Sequence, residues 1–476
     1  MTPMTLSRIA QAVGGRLVGD DRTVDALVTD TRRLDGADMQ RPMFVALRGE
    51  HFDGNDYVAQ AAERGAAAAL VSREGAVAIP QIVVADTERA LAALAASVQR
   101  GRATQVVAVT GSNGKTSVKA LVTAILEAAA PGRAYSTPGN RNNEIGLPLA
   151  VLDAPDDALF AVYEMGAGKP GDIAYLTDIV RPDAALVNNI APAHLERMGS
   201  LLGIADTKAA IYDALPAGGV AAINADDAFA PYFEQRVLAE RAHGRRLLRF
   251  ALDADADLTA RDIALDAEGA RFVLATPEGE ADIALAMPGR HNVLNALAAA
   301  ALAMGVGIGL PAIAAGLNAA RPVGGRLNVH RLPGGAVLID DSYNANPGSL
   351  QAAIDTLAAA GGERWLVIGD MRELGADSAA LHAGVGRRAK ASGVSRLYAL
   401  GPLSAGAAEA FGEGARVFED HAALAAALRA DLAGAVLAAA ANAPRVLVKG
   451  SRGSAMDRIV NDILAGGADR GESHAA

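Results

Sequence analysis

The sequence predicts an α/β protein built from three domains. Short apolar runs alternate with longer helical stretches over most of its length, the pattern of parallel strands covered by helices. Its 476 residues suit about three domains at roughly 100–200 residues each. The alternation breaks at a period-two stretch between Leu258 and Met287 and at a Pro322-Val323-Gly324-Gly325 linker, and these breaks help to mark off its segments.

Residues 1–100 predict a small α/β domain, with Val28–Leu34, then Pro42–Val58, a helix at Asp56–Arg64 and strands at 66–71 and 81–84. It has no GxGxxG, so a nucleotide bound here would rest on loop residues such as Thr29, Asp30, Thr31, Arg32, Arg48 and Gly49. Taken alone, these read more simply as surface turns.

Residues 101–321 predict a parallel sheet with strands at 105–110, 158–164, 183–190 and 219–223, followed by a β-meander with turns at Glu268-Gly269 and Glu278-Gly279. Asn292–Ala320 carries no charge and is long enough to cross a bilayer. Gly305, Gly307, Gly309 and Pro311 break it, so it reads as two buried helices with no membrane insertion. Residues 322–476 predict a Rossmann-like, doubly wound domain with strands near 336–340, 365–369, 396–400, 415–418 and 445–449, and a disordered tail from Gly466.

The net charge of -10 argues against a nucleic-acid binder that works through a basic surface. The chain has no cysteine, hence no disulfide, and its first residues lack a basic stretch followed by an apolar one. A cytoplasmic location and a monomeric state are expected.

The strongest chemical signal is Val106–Val118, VVAVTGSNGKTSV, an apolar strand, a glycine turn and a Lys-Thr pair in the order that binds a nucleoside triphosphate. Gly111, Ser112, Asn113 and Gly114 would turn their amides inward, and Lys115, Thr116 and Ser117 open a helix running to about Ala129. Lys115 would reach the outer phosphates of ATP while the Thr116 hydroxyl ligates magnesium. Val109 stands where the longer motif has its first glycine, so this is the short form TGxxGKT.

Glu164 ends an apolar strand at the same sheet edge and is a candidate magnesium ligand. His194 follows another strand end. Lys208 falls on the apolar stripe formed by 201, 204, 211, 212 and 215, where a lysine either snorkels or holds a desolvated amine of lowered pKa. A neutral amine can take up carbon dioxide and become an N6-carboxylated anion. Asn292 and Asn295 open a helix and would meet an adenine edge or cap that helix. Arg326, which in isolation reads as a surface arginine, could bring a charge from the third domain to the phosphates.

Together these segments resemble the Mur ligase family over nearly the whole chain. The resemblance is carried by TDTR (29–32), FVALRGE (44–50), FDG (52–54), TGSNGKTS (110–117), GNRNNEIGLP (139–148), EMGA (164–167), the spacing from His194 to Lys208, GRHNVLNALAA (289–299), GRL (325–327), DDSYNANP (340–347), GDMRELG (369–375) and KGSR (449–452). NNEIGLP, YNANP with GDMRELG, and KGSR point to those members that join D-alanyl-D-alanine to UDP-N-acetylmuramoyl-tripeptide. Asp35–Pro42 departs from the family pattern, being longer and less glycine-led.

The resemblance implies ATP-dependent peptide-bond formation through an acyl phosphate, with ATP and two magnesium ions. Lys115, His194 and Lys208 would be catalytic, and Thr116, Glu164, His194 and a carboxylated Lys208 would hold metal. The first domain would hold the UDP, and Asn292 and Asn295 the adenine side. Arg326 and Asp341 would reach the nucleotide, with Asn143 on the substrate side and Asn344, Asn346, Lys449 and Arg452 near the dipeptide. The rivals are a sister ligase adding one amino acid to the UDP-dipeptide, folylpolyglutamate synthase, and a P-loop switch that binds ATP without ligating anything.

Overall fold

The computed structural model describes residues 1–35, 39–192, 195–239, 244–266, 268–438 and 442–468; the expected disordered tail falls largely outside these. The first sheet runs, in spatial order, Arg16–Val18, Gln81–Val83, Ala68–Val71, Pro42–Val45 and Ala26–Val28. Only Arg16–Val18 is antiparallel to its neighbour. Residues 4–24 hold a helix and three strands of two or three residues, too short for any periodicity to register in the sequence.

The second sheet is wholly parallel, ordered Arg246–Phe250, Val220–Asn224, Ala184–Val187, Gln105–Thr110, Phe160–Glu164 and Ala134–Ser136. Its strands are buried on both faces, which is why they read as continuous apolar runs. The third strand is shorter than its sequence suggests: it stops at Val187, and Asn188 and Asn189 leave the sheet as loop.

On one face of this sheet lie the helices Arg290–Gly305 and Leu310–Ala319, the pair expected within the uncharged segment. Gly316 lets the second approach the helix Lys115–Ala129: a Cβ on Gly316 would fall 2.3 Å from Ile125 Cα. Among the described residues no helix is long and apolar enough to cross a membrane. The expected meander is an antiparallel sheet of Thr259–Leu265, Ala270–Thr276 and Gly279–Leu285.

On the other face one apolar core continues from Leu6, Leu91 and Leu94 to Tyr163, Ile204 and Tyr212. The helix Thr87–Arg100 packs against Gly146–Asp153 and Asp172–Val180, so the first hundred residues have their own sheet but share a core with the next segment.

The third sheet runs Asn328–Arg331, Val337–Asp341, Arg445–Lys449, Arg364–Gly369, Arg396–Leu400 and Ala415–Phe418, parallel except at the first strand, with a core on each face. That edge strand was not legible because it follows the glycine linker directly and is only four residues long. The register pairs Asp341 with Lys449, bringing two expected site residues together at adjoining strand ends.

Candidate active site

The turn after Gln105–Thr110 holds Gly111 at φ 145° and Gly114 at φ 79°. A Cβ on Gly114 would lie 2.4 Å from Asn188 Nδ2 and 2.7 Å from Asn295 Oδ1, so only glycine fits where the chain enters the helix. Two of the amides expected to face a ligand are otherwise engaged. Ser112 donates its N–H to the Asn189 carbonyl at 2.9 Å, and Asn113 donates to Asn189 Oδ1 at 2.8 Å. These bonds brace the loop, and the helix Lys115–Ala129 that follows carries no side-chain cap, so its first-turn N–H groups could meet an anion. Lys115 Nζ donates to the Gly111 carbonyl at 2.8 Å, and burial pushes its pKa down against the opposing pull of Glu164.

The register sets Glu164 opposite Val109, beside this turn. Glu164 is 3% exposed; its Oε2 accepts from Thr116 Oγ1 at 3.0 Å and its Oε1 from Asn142 Nδ2 at 2.9 Å. A cavity of about 400 Å³ opens from here, with Lys115, Asn143, Glu164, Lys208, Arg326 and Asn344 among its lining. Lys208, 3% exposed on the helix Leu201–Asp213, has its pKa driven far down by burial and by Lys115, with Asp172 opposing. Among the described residues its amine makes no hydrogen bond and no ion pair. His194 lies outside the described residues, and among those described no group of three His, Asp or Glu side chains is set to hold a metal. The donors on hand for a cation are therefore the Thr116 hydroxyl and the Glu164 carboxylate.

A second cavity of about 220 Å³ brings Gly114, Ser117, Asn292, Asn295, Arg326 and Asp341 together. Neither asparagine caps its helix: Asn292 Nδ2 donates to the Pro288 carbonyl at 2.8 Å and Asn295 Nδ2 to Asn292 Oδ1 at 3.1 Å. Asn188 Nδ2 completes the ladder by donating to Asn295 Oδ1 at 3.0 Å. Lys449, expected with the dipeptide, lines this second cavity and pairs with Asp341 at 2.5 Å. Burial lowers the Lys449 pKa and raises that of Asp341, and the pair offsets part of that cost.

Arg326 lines both cavities. Its Nη2 donates to Thr116 Oγ1 at 3.3 Å, and its guanidinium lies 4.3 Å from the centre of the Tyr343 ring. Asn346 caps Pro347–Ala359 and donates its Nδ2 to Asn113 Oδ1 at 2.6 Å, a second bond between the second and third sheets. Arg452 lines neither cavity and pairs with Asp457 at 3.3 Å on the surface.

The six N-terminal candidates also line neither cavity. Thr29, Asp30, Thr31 and Arg32 follow the strand Ala26–Val28, and Arg48 and Gly49 follow its parallel neighbour Pro42–Val45, so both loops leave one sheet edge. Arg32 donates to Asp30 at 2.6 Å, a bond that holds the Asp30 carboxyl at about 2. Thr31 Oγ1 donates to Gln60 at 2.9 Å, and the Phe52 ring covers Gly49.

Family models match in three consecutive stretches: the Mur ligase family catalytic domain over 33–109, the Mur ligase middle domain over 109–303, and the Mur ligase glutamate ligase domain over 325–452. The chain belongs to the Mur ligase family. It is 44% identical over 468 residues to the UDP-N-acetylmuramoyl-tripeptide:D-alanyl-D-alanine ligase of Escherichia coli K12, covering 98% of this chain and 100% of the relative. A crystal structure of MurF from Acinetobacter baumannii superposes with a TM-score of 0.90 at 32% identity, covering 98% of this chain and 99% of that one. MurF ligase from Thermotoga maritima, in complex with ADP, gives 0.82 at 26% identity, covering 94% and 99%. Mur ligases are ATP-dependent enzymes that form peptide bonds, and this chain is one of them.

Sequence reasoning missed Asn188 and Asn189, which brace the glycine turn, and assigned no role to Lys119 or to Asn142 and Tyr343 within the motifs it singled out. A signal for the asparagines existed: polar residues at the carboxyl end of an apolar strand, the same mark that singled out Glu164.

Proposed function

We propose that this chain joins D-alanyl-D-alanine to UDP-N-acetylmuramoyl-tripeptide in the cytoplasm, converting ATP to ADP and phosphate and giving the pentapeptide precursor of peptidoglycan. The observation that carries the reading is the meeting of two cavities at Arg326, which bonds Thr116: one is lined by Gly114, Asn292 and Asn295, the other by Lys115, Glu164 and Lys208. The relatives that share the chain's whole length bear the name of that reaction. Residues 1–100 would hold the UDP at the two loops of the first sheet, 101–321 the ATP, and 322–476 would close over both. A single chain is expected to be the working unit.

The chemistry has two steps. A terminal carboxylate oxygen of the tripeptide attacks the γ-phosphorus and ADP leaves, giving an acyl phosphate. The dipeptide amine then attacks the carbonyl carbon, loses a proton, and phosphate leaves with the C–O bonding pair. Both steps bring anions together, so cationic groups aimed at the developing charge lower the barrier, by about 3 kcal/mol each at sites of this kind.

Lys115 lines the larger cavity and Arg326 lines both, and they would supply two such groups. Magnesium, held at Thr116 and Glu164 and at His194 with Lys208, would neutralise phosphate charge and polarise the reacting oxygens when bound. For Lys208 to serve it must first be an anion. Its amine, buried beside Lys115 and driven far down in pKa, is poised to attack carbon dioxide in its neutral form, forming an N–C bond and releasing a proton from the nitrogen, and the resulting carboxylate would sit next to a cation. Closure of the third segment through Arg326 and Asn346 would keep water from the acyl phosphate.

The test is ADP release with ATP, magnesium and UDP-N-acetylmuramoyl-tripeptide, with and without D-alanyl-D-alanine, with the product weighed by mass spectrometry. The proposal expects turnover only with both acceptors and the pentapeptide as product. Turnover with a UDP-dipeptide and one free amino acid would instead mark a sister ligase, and ADP release indifferent to any acceptor would end the ligase assignment.

A further inference from the structure

We propose that Lys119 is a positioning residue of this site, its ammonium fixing the Glu164 carboxylate and the loop from Thr137 to Asn143 in one arrangement. The inference rests on the ligase reading above. Lys119 follows Thr116 by three residues on the helix Lys115–Ala129, so the two side chains leave one face. Both reach the same oxygen, Glu164 Oε2, Thr116 Oγ1 at 3.0 Å and Lys119 Nζ at 3.5 Å. Lys119 Nζ also donates to the Thr137 carbonyl at 2.8 Å and the Gly139 carbonyl at 2.9 Å.

The loop closes back on the same carboxylate. Thr137 Oγ1 accepts the Glu164 N–H at 3.2 Å, and Asn142 Nδ2 donates to Glu164 Oε1 at 2.9 Å. Asn140, Asn142 and Asn143, from this loop, line the larger cavity. Lys119 and Glu164 are 6% and 3% exposed, so three oxygens of the protein take the place of water around the ammonium. Without it a buried carboxylate loses its nearest cation and two carbonyls lose a donor, and the neutral dipoles of Thr116 and Asn142 cannot replace the charge.

The experiment begins with wild-type pentapeptide formation, which tests the ligase reading alone. Lys119→Met then keeps the length and apolar stem without the charge, and Lys119→Arg keeps a cation. In Lys119→Met the magnesium concentration giving half-maximal rate should rise about fivefold or more and kcat fall about tenfold, while KM for ATP at saturating magnesium moves less than about twofold. Lys119→Arg should recover part of both. In a Glu164→Gln background the Met substitution should cost less than about twofold, because the carboxylate charge it acts through is gone.

Asn142→Ala loosens the same carboxylate from its other oxygen and should raise the magnesium requirement in the same direction, which serves if Lys119→Met does not fold. A Lys119→Met or Asn142→Ala enzyme with the wild-type magnesium requirement would overturn the proposal. So would a tenfold loss that persists in Glu164→Gln, or one that scales all constants together with a lowered melting temperature.

Discussion

At the scale of single residues, the site is a set of buried charges whose partners decide their form. Lys115→Ala should cut turnover by about a hundredfold, the equivalent of about 3 kcal/mol, while binding of the UDP substrate stays largely intact. Unchanged turnover would overturn the phosphate-cradle assignment. Lys208→Ala should lose most activity and regain part of it with a short-chain carboxylate; full activity in the variant would remove the carboxylated lysine. His291 gives a pH dependence of stability. Burial, with the Lys449 ammonium as second cause, lowers its pKa from 6.5 to about 4. Between these values the unfolded chain binds a proton that the folded chain refuses, so stability is held above about 6.5 and falls as pH drops toward about 4. The loss is on the order of 3 kcal/mol. Denaturant melts at pH 7 and pH 4.5 should show a smaller drop for His291→Gln than for wild type, and equal drops would refute the assignment.

At the scale of elements, small residues and caps set how the pieces meet. Gly316→Ala would put a methyl 2.3 Å from Ile125 Cα, so the helices Leu310–Ala319 and Lys115–Ala129 must separate. Overpacking of this kind costs about 1–3 kcal/mol, read as a lowered denaturation midpoint with unchanged slope. Asn346→Ala removes a capping box and should cost about 1 kcal/mol. Since Asn346 also bonds Asn113 across to the phosphate turn, its KM for ATP should rise as well; an unchanged KM would mean the cap is its whole role. The four inner strands of the second sheet and the parallel strands of the third were legible in the sequence because each is an apolar run between turn residues, whereas the second sheet's edge strands Ala134–Ser136 and Arg246–Phe250 were not. The strands of residues 4–24 and Asn328–Arg331 were not, because two to four residues carry no period.

At the scale of the whole molecule, the proposed function requires the third segment to meet the second. Two side-chain bonds made across this junction, Arg326 to Thr116 and Asn346 to Asn113, converge on the proposed nucleotide turn. Nucleotide should therefore stabilise the closed arrangement and slow proteolytic cleavage of the Pro322–Gly325 linker, and Arg326→Ala should weaken that protection. Equal cleavage rates with and without magnesium-ATP would count against closure. The first segment behaves differently: its helix Thr87–Arg100 is built into the core of the second sheet, so rigid attachment is expected there.

The sequence by itself determined the layered α/β plan, the glycine turn between strand Gln105–Thr110 and helix Lys115–Ala129, and which polar residues stand at strand ends, because these follow from local periodicity and from where parallel strands must present their carboxyl ends. Tertiary structure alone decided the partnerships. Asp341 and Lys449, 108 residues apart, become a buried pair only through strand register. Asn188 reaches Asn295 from 107 residues away, and Lys119 acquires its partners only where the fold sets Glu164 and two loop carbonyls around it. A residue's charge environment is set by its neighbours in space, and those neighbours come from the fold.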